Sequence, residues 1–313
     1  MDEVTGQINV PTRNGEVKVS DYDVLNGIEL TQSATDYLPL PIDKDYGVNE
    51  LIDGYEAQAV PDNLVAQRIE SAGYSIGMKK ENMAIEELMK GTVSPDKSTS
   101  TTTNIYKKIV AEIKNMKKRN MKVSSMRVAV GADAEELLLT DEKFANSSST
   151  IGAELLREGV IGKIAGVPVK TNYLMGDDVE FVIYDRRFLQ KYEIWKAEPS
   201  IEDIKDGKHI KASALQGRQV GGLMVTNKLG VQIKKVDTYT VTYDANTGTG
   251  SIESDTVRAG ESIELPDGTA LTGPEGKTVF KGWATTNSAG TPDVESPYTP
   301  TANTTLYAVW ATE

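Results

Sequence analysis

The chain has 313 residues, 39% hydrophobic and 26% charged, a composition that fits one large or two ordinary globular domains. It has no cysteine, which excludes disulfides, thiolate metal sites and cysteine catalysis, and one histidine, His209, which excludes a multi-histidine metal centre. The formal net charge is −12, and residues 236–313 hold 11 acids against 3 bases, a net of −8, leaving 46 − 11 = 35 acids and 34 − 3 = 31 bases, a net of −4, for the rest.

No run is apolar and long enough to span a bilayer, so no membrane partner is expected. No charged-then-apolar leader follows Met1, since Asp2 and Glu3 come directly after it. Residues 1–13 read as a polar arm without period. Residues 16–20 alternate with period two, placing Val17 and Val19 on one face of a strand. Asn26-Gly27, before Ile28, is a strong hairpin cue. Residues 37–42 supply a return strand, and Pro39 and Pro41 confine it to an edge. Such a hairpin has too little apolar surface to hold itself. Val17, Val19, Asn26, Gly27 and Ile28 are therefore candidates for contact with a neighbouring subunit.

Pro61 suits the first turn of a helix. From there Val65, Ile69, Ala72, Ile76 and Met83 recur at helical spacing, predicting one long helix that bends at Gly73 or Gly77 and ends at Gly91. Residues 92–103, rich in Ser and Thr, predict a polar loop, and Asn104 is placed to cap a second helix. Ile105, Ile109, Ile113 and Met116 form the apolar face of that helix. Lys107, Lys108, Lys114, Lys117, Lys118, Arg119 and Lys122 stand against the single acid Glu112. A solvated helix face is one reading of this charge, and contact with DNA or an acidic neighbour is the other.

A strand at 126–130 leads to a helix with Asp133 placed as its cap. Residues 146–150 read as a loop, and Leu155 and Leu156 as part of a short helix stopped at Gly159. Residues 163–169 predict a strand broken at Gly166, with Pro168 limiting its pairing. Further strands are expected at 179–185, 190–195, around 209–214 and at 223–235, the last broken at Gly230.

The succession Ile164-Ala-Gly-Val-Pro-Val, Asn172, Gly176-Asp-Asp and Phe181-Val-Ile-Tyr-Asp-Arg-Arg187, in this order of elements, resembles the major capsid proteins of tailed bacteriophages with the HK97-like fold. The resemblance covers about residues 1–235. It implies an α+β architecture with an N-arm (1–13), an extended loop or E-loop (14–45), a peripheral or P domain with a long spine helix (about 46–127 and 215–235) and an axial or A domain (about 128–214). Some relatives join an E-loop lysine to a P-domain asparagine, but no motif marks Lys18 or Lys44, and no crosslink is expected.

At Asp237 the texture changes to Thr, Gly and Pro with short strands. This stretch, 237–313, carries the acidic excess and reads as a separate unit facing solvent, unsuited to nucleic acid. Val241-Thr-Tyr243, Phe280-Lys-Gly-Trp283 and Leu306-Tyr-Ala-Val-Trp310 resemble the Listeria–Bacteroides repeat, a small β-grasp-like module of bacterial surface proteins. Asn246-Thr-Gly stands where that family has Asn-Gly-Gly, and Ala284 where it has an aromatic residue. Trp283 and Trp310 read as core, with stacking on sugar rings the functional alternative.

No motif marks an enzyme. There is no GxSxG elbow, no Walker loop, no GxGxxG before a helix and no EF-hand loop, and no cofactor or metal is expected. His209, among polar neighbours, reads as an exposed loop residue. The resemblance implies a structural protein that assembles into pentamers and hexamers of an icosahedral shell around double-stranded DNA. It would be a virion component assembled in the host cytoplasm. With Met1 as the start, no scaffold segment is encoded, so a separate scaffolding protein and a portal are expected partners. The surface module implies outward display and contact with host or mucosal glycans, Trp283 being the residue to carry it. An encapsulin-type compartment shell and a bacterial surface adhesin are the alternatives.

Overall fold

The computed structural model describes residues 6–12, 19–28, 36–53, 64–144, 159–205, 207–209 and 211–312. The expectations for Val17, for Pro61 and for the loop and helix at 146–158 lie outside the described residues.

The first strand, β1 (Gly6–Pro11), falls in the stretch expected to be a patternless arm. It pairs antiparallel with β2 (Tyr37–Ile42), and Thr12 N donates to Asp36 O at 2.7 Å where the connection begins. Ile8 and Val10 point inward on a period of two, too short a run to stand out beside Pro11. β3 (Lys44–Ile52) follows, then α1 (Leu64–Leu88), which runs unbroken through Gly73 and Gly77. β4 (Thr92–Val93) opens the expected polar loop, and α2 (Ile105–Lys118) buries the four apolar residues named from its spacing.

β5 (Met126–Val130) leads to α3 (Ala132–Leu139). Gly131 takes the cap position of α3, so Asp133 lies inside the first turn and caps nothing. The expected break at Gly166 is a tight hairpin between β6 (Val160–Ile164) and β7 (Val167–Thr171). Ala165 and Gly166 both have positive φ, 50° and 84°, as a two-residue connection of this twist requires. β8 (Val179–Asp185), β9 (Leu189–Asp203), β10 (Ser213–Val225) and β11 (Val231–Lys235) complete this part.

These strands make two principal sheets. One is three-stranded and antiparallel, in the order β3-β10-β9. The other is six-stranded and mixed, in the order β4-β11-β8-β5-β7-β6. Val128 and Val130 of β5, with Phe181 and Ile183 of β8, face Ile105, Ile109, Ile113 and Met116 of α2. The alternate residues Ala129 and Val182 face the other way, toward Ile85 and Leu88 at the end of α1. The N-terminal half of α1 places Ile69 and Ala72 against Ile52, Leu215 and Ile201 of the three-stranded sheet. One helix therefore ties both sheets together. The β1–β2 hairpin rests on β10 through Val10, Leu40, Ile42 and Val220.

The C-terminal module holds a four-stranded sheet in the order β14-β12-β17-β16, built from β12 (Thr238–Asp244), β14 (Asp255–Arg258), β16 (Val279–Ala284) and β17 (Thr304–Ala311). β13 (Thr249–Gly250) and β15 (Leu271–Thr272) form a second small pair. Its core gathers Val241, Tyr243, Trp283, Leu306, Ala308 and Trp310, all within the landmarks read from the sequence, together with Leu271.

Candidate interaction surfaces

Within the β1–β2 connection the chain turns at Asp23. Its carboxylate accepts from Leu25 N at 2.7 Å and Asn26 N at 3.1 Å, and these bonds hold its pKa below the usual carboxylate range. Gly27 N donates to Asp23 O at 2.8 Å, and Gly27 adopts φ 71°, which glycine reaches without strain. Local polar bonds thus shape the turn while its apolar residues face solvent. Val19 and Leu25 are each 92% exposed, Val24 is 87% exposed, and Ile28 and Tyr22 are also uncovered. Among the described residues, the turn presents Val19, Val24 and Leu25 almost fully to solvent.

The second surface is on α2, whose polar residues fall into two rows. Lys107, Ala111, Lys114 and Lys118 follow the spacing i, i+4, i+7, i+11 and are exposed, with Lys117 beside them. Lys108, Glu112, Asn115 and Arg119 follow the same spacing one residue later and are turned toward the body. Glu112 is buried and accepts from Ser94 Oγ at 2.6 Å. Arg119 Nη1 donates to Gln232 Oε1 at 2.9 Å. Lys108 Nζ donates to Ser98 O at 2.7 Å and Thr99 O at 3.0 Å. So Lys108 does not belong to the exposed basic face. Glu112, the one acid of the helix, is also absent from it, so every charge on that face is positive.

The third is the module surface. Trp283 is 2% exposed, donates Nε1–H to Pro266 O at 2.8 Å, and lies 4.9 Å from the Tyr243 ring and 5.3 Å from the Phe280 ring. It is a core residue with its one donor satisfied, so it cannot stack on a sugar, and the expected glycan contact through Trp283 is withdrawn. The turn at 245–248 closes with Gly248 N donating to Ala245 O at 3.0 Å. Its central residues Asn246 and Thr247 both have positive φ, 44° and 73°.

A cavity of about 140 Å³ between α1 and the three-stranded sheet is lined by Tyr46, Met83, Ala84, Leu189 and Leu223. Lys44, Lys80 and Lys191 line it as well, and its carboxylate, Glu193, is held at a pKa of about 2 by its bond to Lys191, with Lys80 3.4 Å away. A carboxylate so firmly ionised is a poor proton carrier near neutral pH. His209 lies exposed between β9 and β10. Among the described residues no three His, Asp or Glu side chains are grouped to hold a metal ion, and no helix is long and apolar enough to cross a membrane.

Comparison with known proteins agrees with this architecture in two separate pieces. Residues 239–309 match the Listeria-Bacteroides repeat domain family. No curated protein matches the chain. Among solved structures, one from Mycobacterium phage Che8 aligns with a TM-score of 0.54 at 18% identity, covering 74% of this chain and 84% of that one. The capsid of cyanophage P-SCSP1u aligns at 0.53 and 9% identity, over 74% and 83% of the two chains. The mature capsid of bacteriophage PhiM1 aligns at 0.50 and 13%, over 74% and 82%. At these identities the likeness establishes the fold, which is the α+β HK97-like fold.

Proposed function

We propose that this chain is the structural subunit of an icosahedral phage head, assembling as pentamers and hexamers into a shell that encloses double-stranded DNA. The observation that carries the reading is an HK97-like fold, shared with phage capsids, whose β1–β2 connection carries the exposed apolar residues Val19, Val24 and Leu25. In this reading the six-stranded sheet with α2 and α3 is the axial domain. The three-stranded sheet with the N-terminal half of α1 is the peripheral domain, and the β1–β2 hairpin is the extended loop. The boundaries follow the sheets, so α2 belongs to the axial domain although it precedes residue 128.

Assembly is the mechanism. Covering an exposed Val or Leu contributes about 1.5–3 kcal/mol, so a neighbour that receives Val24 and Leu25 gains several kcal/mol per subunit. A hairpin joined to its body by one short pair of strands keeps that contact while rings tilt between pentameric and hexameric settings. The exposed lysine row of α2 binds packaged DNA through phosphate charge, without sequence preference. The acidic module faces outward, away from DNA of the same charge. The protein acts in the virion after assembly in the host cytoplasm, with a separate scaffolding protein and a portal as partners. The test is the double substitution Val24→Asp, Leu25→Asp, followed by analytical ultracentrifugation and circular dichroism. The expected product is a folded subunit that forms no shells. Shells of normal yield and size would overturn the proposal.

A further inference from the structure

We propose that the body carries a prebuilt socket that holds the C-terminal module in one orientation, with Arg258 as the residue that seats it. Arg258 ends β14 and is 8% exposed although it is a cation on the module's edge. Its Nε donates to Asp177 O at 2.6 Å, and its Nη2 lies 2.6 Å from Asp133 Oδ2. Both partners belong to the body. The planar guanidinium fork meets a carbonyl and a carboxylate at once, a geometry that an ammonium group does not reproduce. This also accounts for Asp133, which leaves the α3 cap to Gly131 and presents its carboxylate from the first turn of that helix.

The contact continues on either side. Thr99 Oγ1 donates to Ala259 O at 2.6 Å, Asp237 N donates to Lys97 O at 3.3 Å, and Lys97 Nζ lies 3.5 Å from Asp237. Thr99 and Lys97 sit on the Ser/Thr-rich loop that the sequence presents as featureless. That loop is fixed by residues from distant elements of the body. Lys234, 1% exposed, donates to Asp96 O at 2.6 Å and Ser98 O at 2.8 Å. Lys108 reaches Ser98 O and Thr99 O, and Ser100 bonds through N and Oγ to the buried Glu180 at 2.6 and 2.5 Å. Every one of these groups lies outside the module, so the socket is complete before the module meets it.

Charge explains the need. The module's stretch has a net charge of −8 and the remainder −4, so the two repel each other at range. Of the three bases between 236 and 313, Lys277 and Lys281 stay exposed, and Arg258 alone is buried against the body. With the socket intact the module moves as one piece with the six-stranded sheet, instead of swinging from the connection at Val236. This inference concerns contacts within one chain and stands whether or not chains form a shell.

Because the chain has no cysteine, spin labels can be placed at will. Labels at Glu142→Cys on the body and Lys277→Cys on the module, both exposed positions, report their separation by pulsed electron paramagnetic resonance. Labelled chains are diluted into unlabelled ones so that only distances within a chain are read. The full-length parent is expected to give one narrow distance peak, unchanged between low and high salt. Arg258→Ala and, separately, Asp133→Ala should broaden it at least twofold and make its width depend on salt, while circular dichroism stays that of the parent. Arg258→Lys should fall between. If Arg258→Ala fails to fold, Asp133→Ala asks the same question from a side chain that is 64% exposed. A broad peak in the parent, or a narrow one in the variants, overturns the proposal.

Discussion

Two adjacent residues of the module, Asn246 and Thr247, are expected to respond to glycine with opposite signs. Both occupy the left-handed region, at φ 44° and 73°, in the turn between β12 and β13. Thr247 is β-branched and exposed, and that region costs an L residue with a Cβ about 1–2 kcal/mol. Thr247→Gly removes that strain and adds about 0.5–1 kcal/mol of backbone entropy lost on folding. The net expectation is a stabilisation, centred on about 0.7 kcal/mol within a range of about 0–1.5 kcal/mol. Asn246 tolerates the same backbone region, and its side chain is also occupied. Its Nδ2 donates to Asn287 O at 3.0 Å and Ala308 O at 2.9 Å. At about 0.5–1.5 kcal/mol per bond, Asn246→Gly should destabilise by about 1–3 kcal/mol. Urea unfolding of the full chain, followed by tryptophan fluorescence, reads both, since Trp283 and Trp310 lie in the module core. The midpoint should rise for Thr247→Gly and fall for Asn246→Gly at unchanged slope. A midpoint for Thr247→Gly at or below the parent's, or two shifts of the same sign, refutes the reasoning.

Trp283→Ala should cost the module about 3–5 kcal/mol, checked by near-ultraviolet circular dichroism on denaturation, because it empties a core site. Charge reversal at Lys107, Lys114 and Lys118 together should weaken binding to duplex DNA and flatten its salt dependence by about 2–3 in log–log slope, as fluorescence anisotropy would read. Lys108→Glu should instead lower stability and leave that slope near the parent's, because Lys108 Nζ is bonded to Ser98 O and Thr99 O. Glu193 has a folded pKa of about 2 against an ordinary 4.5, so its stabilising contribution is complete above pH 4.5 and is lost as pH falls toward 2. Glu193→Gln should therefore lower stability at neutral pH and flatten the acid-unfolding curve over that window.

Much of this fold could be read from spacing alone where one face of an element meets one core. The apolar row of α2 and the aromatic landmarks of the module are local patterns with a single burial direction. What escaped depends on residues far away in sequence. β1 finds its partner across the whole connection to β2, and its two inward residues are too few to reveal a strand beside Pro11. The loop at 94–100 looks unstructured because its anchors, Lys108, Glu180 and Lys234, come from three other elements. Counting charge on α2 misassigned Lys108, but its spacing to Glu112, Asn115 and Arg119 carried the signal, since the four share a row along the edge of the apolar face. Arg258 shows no pattern in the sequence, because its partners meet it only once both units have folded.

The central claim is that this chain builds a closed shell, and electron cryo-microscopy of the purified full-length protein after assembly tests it most directly. The account predicts closed icosahedral particles of pentamers and hexamers. The six-stranded sheet should lie around the ring axes, the α2 lysine row on the inner wall and one module per subunit on the outside. A protein that stays monomeric under all assembly conditions, or shells with the module density on the inner wall, would contradict it.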